Sequence, residues 1–181
     1  PTQTKVRARV PKKAHQTSYQ ATPVEQRSRW GSRVAEEFAI SVELDAPRGL
    51  DASKSIEGAR LLASNGIQAI NIADGPRATA RMSALALALQ VKEQVDIDVI
   101  VHYCCRDRNL LGMQMDLLGA HALGIRNLLC VTGDPPKMGN YPDATGVFDL
   151  DSVELVRAVH NLNHGIDFGG DSLDQASDFV I

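Results

Sequence analysis

Several apolar segments of the sequence run directly into side chains that can exchange protons or neutralise charge. In chain order these side chains are Glu43, then Asn71 and Asp74, then His102, Arg106 and Asp107, and finally Asp134 after Thr132-Gly133. Carboxylates and imidazoles that meet in one pocket are the groups used for general acid–base catalysis and for stabilising a developing charge. The elements that carry these residues must therefore bring their ends together.

Glu43 lies between Val42 and Leu44 within one of these apolar segments. In a strand this position is predicted to point inward. A carboxylate that loses its water is protonated more readily, which suits a general acid at neutral pH. The alternative is a structural ion pair with an inward-facing arginine, and both interpretations follow from the position.

The stretch from Val131 to Pro136, Val-Thr-Gly-Asp-Pro-Pro, is the most unusual of the segment ends. A glycine after a strand allows a flat ligand to approach the backbone closely. The two prolines stiffen the loop and would hold Asp134 at its mouth. The alternative is an Asp-Pro turn that only ends the strand. We place the chemistry of the chain at the Gly133-Asp134 turn.

His102 stands between Val101 and Tyr103 and is also predicted to point inward. A single histidine in a strand is more often a core residue with satisfied hydrogen bonds than a ligand-binding group. Both roles stay open for His102.

Cys104, Cys105 and Cys130 are the cysteines of the chain. Together they would suit a zinc–thiolate site for thiol alkylation. Adjacent residues of a strand point to opposite faces, however, so Cys104 and Cys105 could bind one metal only across a bulge. Their apolar surroundings favour reduced thiols in the core, and no metal site is predicted.

The apolar segments recur at a constant interval. They are predicted to be strands over Ile40–Leu44, Ala69–Ala73, Asp98–Tyr103 and Asn127–Val131, each beginning 29 residues after the previous one. One strand, one helix and two short loops have about this length. Near-continuous apolar runs are typical of parallel strands covered on both faces.

The segments between the strands carry helix signals. The expected boundaries, in chain order, are Asp51 to Asn65-Gly66, a start at Gly75-Pro76, Leu110 to Gly124, and a capping box at Asp151 and Glu154 that leads to Gly165.

This alternation predicts an α/β fold with a parallel sheet and right-handed crossovers. An open dinucleotide-binding sheet expects Gly-x-Gly-x-x-Gly after the first strand, whereas this turn, residues 45–49, is Asp-Ala-Pro-Arg-Gly. The equal length of the βα units and the polar residues at the strand ends favour a TIM (β/α)8 barrel, of which about the first four and a half βα units are present. The half unit is Phe179-Val180-Ile181, which is predicted to be a fifth strand cut short. Because a half barrel exposes two sheet edges, we expect pairing with another copy or inclusion in a longer polypeptide.

Charge is unevenly distributed along the chain, whose formal net charge is −3. Residues 1–33 hold eight basic residues and one acidic residue, whereas residues 34–181 hold 11 basic and 21 acidic residues. We interpret 1–33 as a basic, disordered arm or linker and 34–181 as the barrel. The arm lacks the aromatic interleaving of a nucleic-acid-binding region, and no apolar run is long enough to cross a membrane. We expect a cytoplasmic protein without nucleic-acid or membrane partners.

As a series, the strand ends resemble methylenetetrahydrofolate reductase. The resemblance covers about residues 34–181 and rests on Ser41-Val42-Glu43-Leu44, Asn71-Ile72-Ala73-Asp74-Gly75, His102 and Gly133-Asp134-Pro135-Pro136, in order and with matching spacing. Thr132 before Gly133, and the run RDRNLLGMQ at 106–114, are closest to the branch in which the reductase follows a homocysteine methyltransferase domain.

The resemblance implies a barrel that binds FAD near the carboxyl ends of its strands. NAD(P)H would reduce the flavin, which would in turn reduce 5,10-methylenetetrahydrofolate to 5-methyltetrahydrofolate in one-carbon and methionine metabolism. Glu43 matches the acid that protonates the folate ring nitrogen. Asp134 matches the aspartate that stabilises the resulting cation and tunes the flavin.

The resemblance also implies cofactor contacts, namely Ala73, His102, Thr132, Gly133, Asp134 and Phe148. Many members have arginine where this chain has Thr132, and others have threonine in place of Ala73. The implied partners are the folate substrate and either a second copy of the chain or a homocysteine methyltransferase domain in the same polypeptide.

Two alternatives belong to other classes. One is a methyltransferase barrel with a zinc–thiolate site, which stoichiometric zinc would support. The other is a non-catalytic truncated barrel that serves as a scaffold, which a bound flavin would argue against. Whether this chain is active alone stays open.

Overall fold

The computed structural model describes residues 19–181, so the part of the predicted arm before residue 19 lies outside the described residues. The elements, in chain order, are α1 (Arg29–Glu36), β1 (Ser41–Leu44), α2 (Ser53–Ser64), β2 (Ala69–Ile72), α3 (Ala84–Gln94), β3 (Asp98–Cys104), α4 (Leu110–Ala122), β4 (Asn127–Val131) and α5 (Ser152–Leu162). Short 3-10 helices lie at Val24–Gln26, Pro76–Ala78 and Pro136–Met138. Among the helices of residues 19–181, none is long and apolar enough to span a membrane.

The four strands form one parallel sheet in the order β1-β2-β3-β4. Glu43 pairs in register with Asn71, Asn71 with Ile100, and His102 with Leu129. Strand order that follows chain order is the winding of a β/α barrel, whereas a doubly wound sheet reverses at a switch point. The predicted partial barrel is therefore confirmed.

The predicted fifth strand is present as one parallel bridge between Val180 and Asn127. The Val180 amide donates to the Arg126 carbonyl at 2.8 Å, and the Val180 carbonyl accepts from the Leu128 amide at 2.9 Å. The chain thus begins a further parallel pairing beside β4.

The two faces of the sheet differ in burial. Ile70, Val101 and Leu128 alternate toward the helices and belong to the hydrophobic core. On the opposite face Glu43 is exposed and Leu129 is 44% exposed. In a closed barrel this second face lines the interior. Four strands surround only part of that space, so the face is open to solvent.

The predicted arm extends too far into the chain, because residues 29–33 belong to α1. Ser28 caps this helix by accepting a hydrogen bond from the Gly31 amide at 2.8 Å. The same hydroxyl donates to Asn127 Oδ1 at 2.6 Å, which ties the segment to β4. The contact joins residues 99 apart in the chain, so the sequence carries no local sign that this segment is tied to the sheet.

The predicted start of the second helix is wrong. Gly75-Pro76 leads into the 3-10 helix Pro76–Ala78, where Arg77 (φ 56°) and Ala78 (φ 51°) have left-handed backbone that an α-helix cannot contain. The α-helix begins after Ser83, whose hydroxyl accepts from the Ala86 amide at 3.1 Å.

The other helices begin and end near the predicted residues, although the N-cap of α2 is Ala52 and not Asp51. The Asp51 carboxylate accepts from the Ser53 amide at 2.9 Å at the start of α2. Asp151 and Glu154 form the predicted capping box of α5. Gly66, Gly124 and Gly165, all with positive φ, follow α2, α4 and α5 respectively.

Candidate active site

A cavity of about 370 Å³ opens at the carboxyl ends of the strands. Its lining consists of Glu43, Ala73, Asp74, Pro76, His102, Arg106, Val131, Gly133 and Asp134. Seven residues singled out from the sequence therefore meet in one site, namely Glu43, Ala73, Asp74, His102, Arg106, Gly133 and Asp134. They meet because parallel strands place their carboxyl ends at one edge of the sheet, where β/α barrels carry their catalytic groups.

A larger cavity of about 510 Å³ lies at the opposite, amino-terminal ends of the strands. It is lined by residues such as Arg29, Asp98 and Arg126. Its size alone would favour it as the active site, but the amino-terminal end of a β/α barrel contributes to stability and not to catalysis. We therefore assign the site to the smaller cavity.

A polar chain crosses three strands on the open face of the sheet. Asn71 Nδ2 donates to Ser41 Oγ at 2.7 Å. His102 Nε2 lies 3.3 Å from Asn71 Oδ1. Because an amide oxygen only accepts, this contact requires the His102 proton to reside on Nε2. Asn71 therefore fixes both the orientation and the tautomer of His102.

His102 is half-buried, and burial lowers its pKa below the usual value for histidine. The carboxylates of Glu43 and Asp74 act in the opposite direction but do not outweigh burial. The imidazole is consequently neutral at pH 7. A neutral ring with a fixed tautomer acts as a hydrogen-bonding group rather than a cation.

Glu43 lies on the inner face at the end of β1, as predicted, but it is exposed and not buried. The correction follows from the open face of the sheet, since no further strand covers the carboxylate. Within residues 19–181 Glu43 takes part in no ion pair, so the alternative structural pairing with an arginine is not observed there. Its carboxylate is free to meet a ligand.

Asp134 is held between two loops. Its Oδ2 accepts a hydrogen bond from the Arg77 amide at 2.8 Å, and Arg77 belongs to the left-handed turn after β2. Its main-chain carbonyl accepts from Arg106 Nη1 at 3.4 Å. The loop after β2 therefore fixes the carboxylate of Asp134, and the loop after β3 fixes its main chain.

Gly133 has a φ of +96°, a conformation that disfavours any side chain. A Cβ at this position would lie 3.1 Å from the Cβ of Cys104 and 3.2 Å from the Cβ of Arg106. The missing side chain makes room for β3 and the loop after it. Backbone conformation and packing thus require this glycine, and the close approach of a ligand stays a prediction.

Thr132 and Phe148, the other two predicted cofactor contacts, do not line this cavity. The Thr132 hydroxyl accepts from the Ser152 amide at 3.0 Å, at the first residue of α5. Phe148 has left-handed backbone (φ 45°) and packs against the hydrophobic core. Both residues belong to the β4–α5 connection, and their contacts with a cofactor stay predictions.

Arg106 is a site residue that the sequence places only at a strand end. Its side chain is 6% exposed and forms two hydrogen bonds of 2.7 Å with the Asp107 carboxylate. This pairing raises the pKa of Arg106 and lowers that of Asp107. Arg106 lines both this cavity and an adjoining one of about 280 Å³. The sequence carries no signal for its burial, which depends on three loops meeting around it.

The three thiols lie in or beside the apolar core of the structure. Burial raises the pKa of Cys104 to about 11 and those of Cys105 and Cys130 to about 12. In the described part of the chain, no group of three or more His, Cys, Asp or Glu side chains is placed to hold a metal ion. The zinc–thiolate alternative is therefore not favoured.

A protein-family model described as methylenetetrahydrofolate reductase matches residues 29–172 of the chain. The match begins at the first residue of α1 and extends past α5, so it contains all four strands and every residue that lines the cavity. No curated protein sequence matches the chain significantly.

Proposed function

The chain belongs to the methylenetetrahydrofolate reductase family, and from that premise we propose that it reduces 5,10-methylenetetrahydrofolate to 5-methyltetrahydrofolate with FAD as cofactor and NAD(P)H as hydride donor. Membership makes it an oxidoreductase domain of folate one-carbon metabolism. The observation that carries the proposal is the meeting of Glu43, His102 and Asp134 in one cavity at the carboxyl ends of three strands.

The lining of the cavity fits the uncharged ring system of a flavin. Ala73, Pro76 and Val131 provide apolar surface, and neutral His102 provides a hydrogen-bonding group. The cationic residue of the lining, Arg106, is already paired with Asp107, so this cavity suits the ring and not the diphosphate. Flavin bound here would supply the hydride chemistry between nicotinamide and folate.

Glu43 is proposed as the general acid. Opening the five-membered ring of the folate requires a proton on the ring nitrogen that leaves the methylene carbon. The carboxyl group at the end of β1 lines the cavity, so a folate bound there would lie within its reach.

Asp134 is proposed to stabilise the cation that the ring opening produces. One of its carboxylate oxygens is fixed by the Arg77 amide at 2.8 Å, so the charge is positioned before the ligand arrives. A fixed negative charge near a developing positive charge lowers the barrier without a cost of reorganisation. The same charge disfavours electron addition to a nearby ring and so lowers its reduction potential.

The open inner face of the sheet supports a partner that completes the site. Leu129, beside His102 in register, is 44% exposed on this face. We propose that a second copy of the chain, or further segments of a longer polypeptide such as one with a homocysteine methyltransferase domain, covers it. Thr132 and Phe148 lie outside the cavity, so their proposed cofactor contacts would be made by parts of the FAD that extend beyond it.

The proposal is tested on the purified protein by its visible spectrum and by its turnover. We expect a flavin absorption spectrum and an oxidation of NAD(P)H that depends on methylenetetrahydrofolate. A protein with no flavin and no folate-dependent oxidation would support the scaffold alternative. Stoichiometric zinc that is lost in Cys105→Ser would instead support the methyltransferase alternative.

A further inference from the structure

The Arg106 side chain is enclosed between two glycines of neighbouring loops. Gly75 follows β2 with a φ of +55°, and Gly133 follows β4 with a φ of +96°. A Cβ on Gly75 would lie 2.7 Å from Arg106 Nη2, and a Cβ on Gly133 would lie 3.2 Å from Arg106 Cβ. A side chain at either position would therefore displace Arg106 or its loop and would strain the positive-φ backbone.

The guanidinium also bonds to both of these loops. Its Nη1 donates to the Gly75 carbonyl at 3.2 Å and to the Asp134 carbonyl at 3.4 Å. Asp107 occupies the remaining edge through Nε and Nη2, both at 2.7 Å. Arg106 is therefore a spacer of fixed orientation that joins the loops after β2, β3 and β4.

The Arg77 amide and the Asp134 carboxylate belong to the same two outer loops. Their hydrogen bond of 2.8 Å forms only when the loops stand at the correct separation. Arg106 touches neither group of this bond with its side chain, but its hydrogen bonds fix the residue two positions before Arg77 and the main chain of Asp134.

We infer that Arg106 is a positioning residue, which orients the Asp134 carboxylate by setting the separation of the Gly75 turn and the Gly133-Asp134 turn. Its importance for turnover rests on the proposed function of Asp134. The positioning itself is a property of the chain and is measurable without cofactor or substrate.

The test is amide hydrogen exchange of the full chain by NMR, with the Arg77 amide as the reporter. Asp134→Ala defines the exchange rate without the hydrogen bond. In Arg106→Met we expect the protection of Arg77 to fall about tenfold or more, toward the Asp134→Ala value, because a hydrogen bond to a carboxylate is lost. Arg106→Lys should restore part of it, since lysine keeps the stem and the charge but not the planar fork.

Arg126→Met is the matched control. Arg126 also pairs with a carboxylate, that of Asp178, at 2.8 Å. It directly precedes β4, however, and so lies at the opposite end of the sheet from Arg106. This variant should lose global stability without changing the protection of Arg77. The inference is overturned if Arg77 stays protected in Arg106→Met, or if Arg126→Met lowers its protection equally.

Asp107→Asn covers the case in which Arg106→Met does not fold. Asp107 is 50% exposed, so we expect the protein to tolerate asparagine there. The substitution weakens the two hydrogen bonds that hold the Arg106 guanidinium. We expect about a threefold loss of Arg77 protection, and an unchanged value contradicts the inference. If the protein binds no flavin, the proposed function fails while this result still stands or falls on its own.

Discussion

The Arg77 amide and the Asp134 carboxylate join two loops across 57 residues of sequence, through a hydrogen bond of 2.8 Å. Arg77 and Ala78 both have positive φ in the turn that provides this amide. The turn is held from the other side by Gly139, where a Cβ would lie 1.8 Å from the Ala78 carbonyl oxygen. Strained backbone of this kind persists when surrounding contacts determine it, and here it orients the carboxylate proposed to stabilise the reacting cation.

Gly133→Ala should destabilise the protein more than Gly66→Ala. Both glycines have positive φ, but a Cβ on Gly66 would meet nothing within 4 Å, whereas one on Gly133 would contact Cys104 and Arg106. We expect a loss of about 1–2 kcal/mol for Gly66→Ala from backbone strain, and about 1–3 kcal/mol more for Gly133→Ala from overpacking. Urea unfolding measures both, and equal losses would mean that β3 moves freely to accept the added methyl group.

His102 should make stability depend on pH below its normal titration range. Burial lowers its pKa in the folded state, so the unfolded state takes up a proton first as the pH falls below about 6.5. The free energy of unfolding therefore decreases with falling pH across the window between the two pKa values. Urea unfolding at several pH values should show a shallower decrease in His102→Asn, and a slope equal to the wild type would contradict the shift.

The three cysteines should react slowly while the protein is folded. Their raised pKa values, about 11 for Cys104 and about 12 for Cys105 and Cys130, leave little thiolate at pH 8. A chromogenic disulfide reagent should therefore label them only after addition of denaturant. Rapid labelling of the folded protein, or zinc in the purified protein, would revive the thiolate-site alternative.

Sequence periodicity predicts the sheet well because each strand of a β/α unit buries a local, near-continuous apolar run. The starts predicted at Ala69, Asp98 and Asn127 are confirmed, and β1 begins one residue after the predicted Ile40. The strand ends also identify the residues of the cavity, since parallel order alone brings them together.

Tertiary contacts account for what the sequence does not reveal. The left-handed turn at Arg77 and Ala78 replaces a predicted helix start because Asp134 and Gly139 determine its backbone. Arg106 is buried because two other loops close around it. Glu43 is exposed because burial of an inner-face residue depends on strands outside its own βα unit.

Asp134→Asn should weaken folate reduction and raise the reduction potential of bound flavin. The substitution removes a negative charge from the mouth of the cavity, and a negative charge near a ring opposes its reduction. Potentiometric titration of the flavin-loaded protein measures the effect. A potential equal to that of the wild type would contradict the proposal that Asp134 lowers the flavin potential. Normal folate reduction would contradict the proposal that Asp134 stabilises the folate cation.

The measurement that tests the central claim most directly separates the two half-reactions in Glu43→Gln by stopped-flow absorption. Glutamine keeps the size and polarity of Glu43 but has no proton to donate to the folate. Glu57→Gln, an exposed substitution on α2, serves as the control and should behave like the wild type.

We predict that NAD(P)H reduces the flavin of Glu43→Gln at the wild-type rate, whereas methylenetetrahydrofolate no longer reoxidises it. That result would identify the exposed carboxyl group at the end of β1 as the acid of the folate half-reaction. Equal loss of both half-reactions would make Glu43 a structural residue, and unchanged rates for both would contradict its assignment to the site.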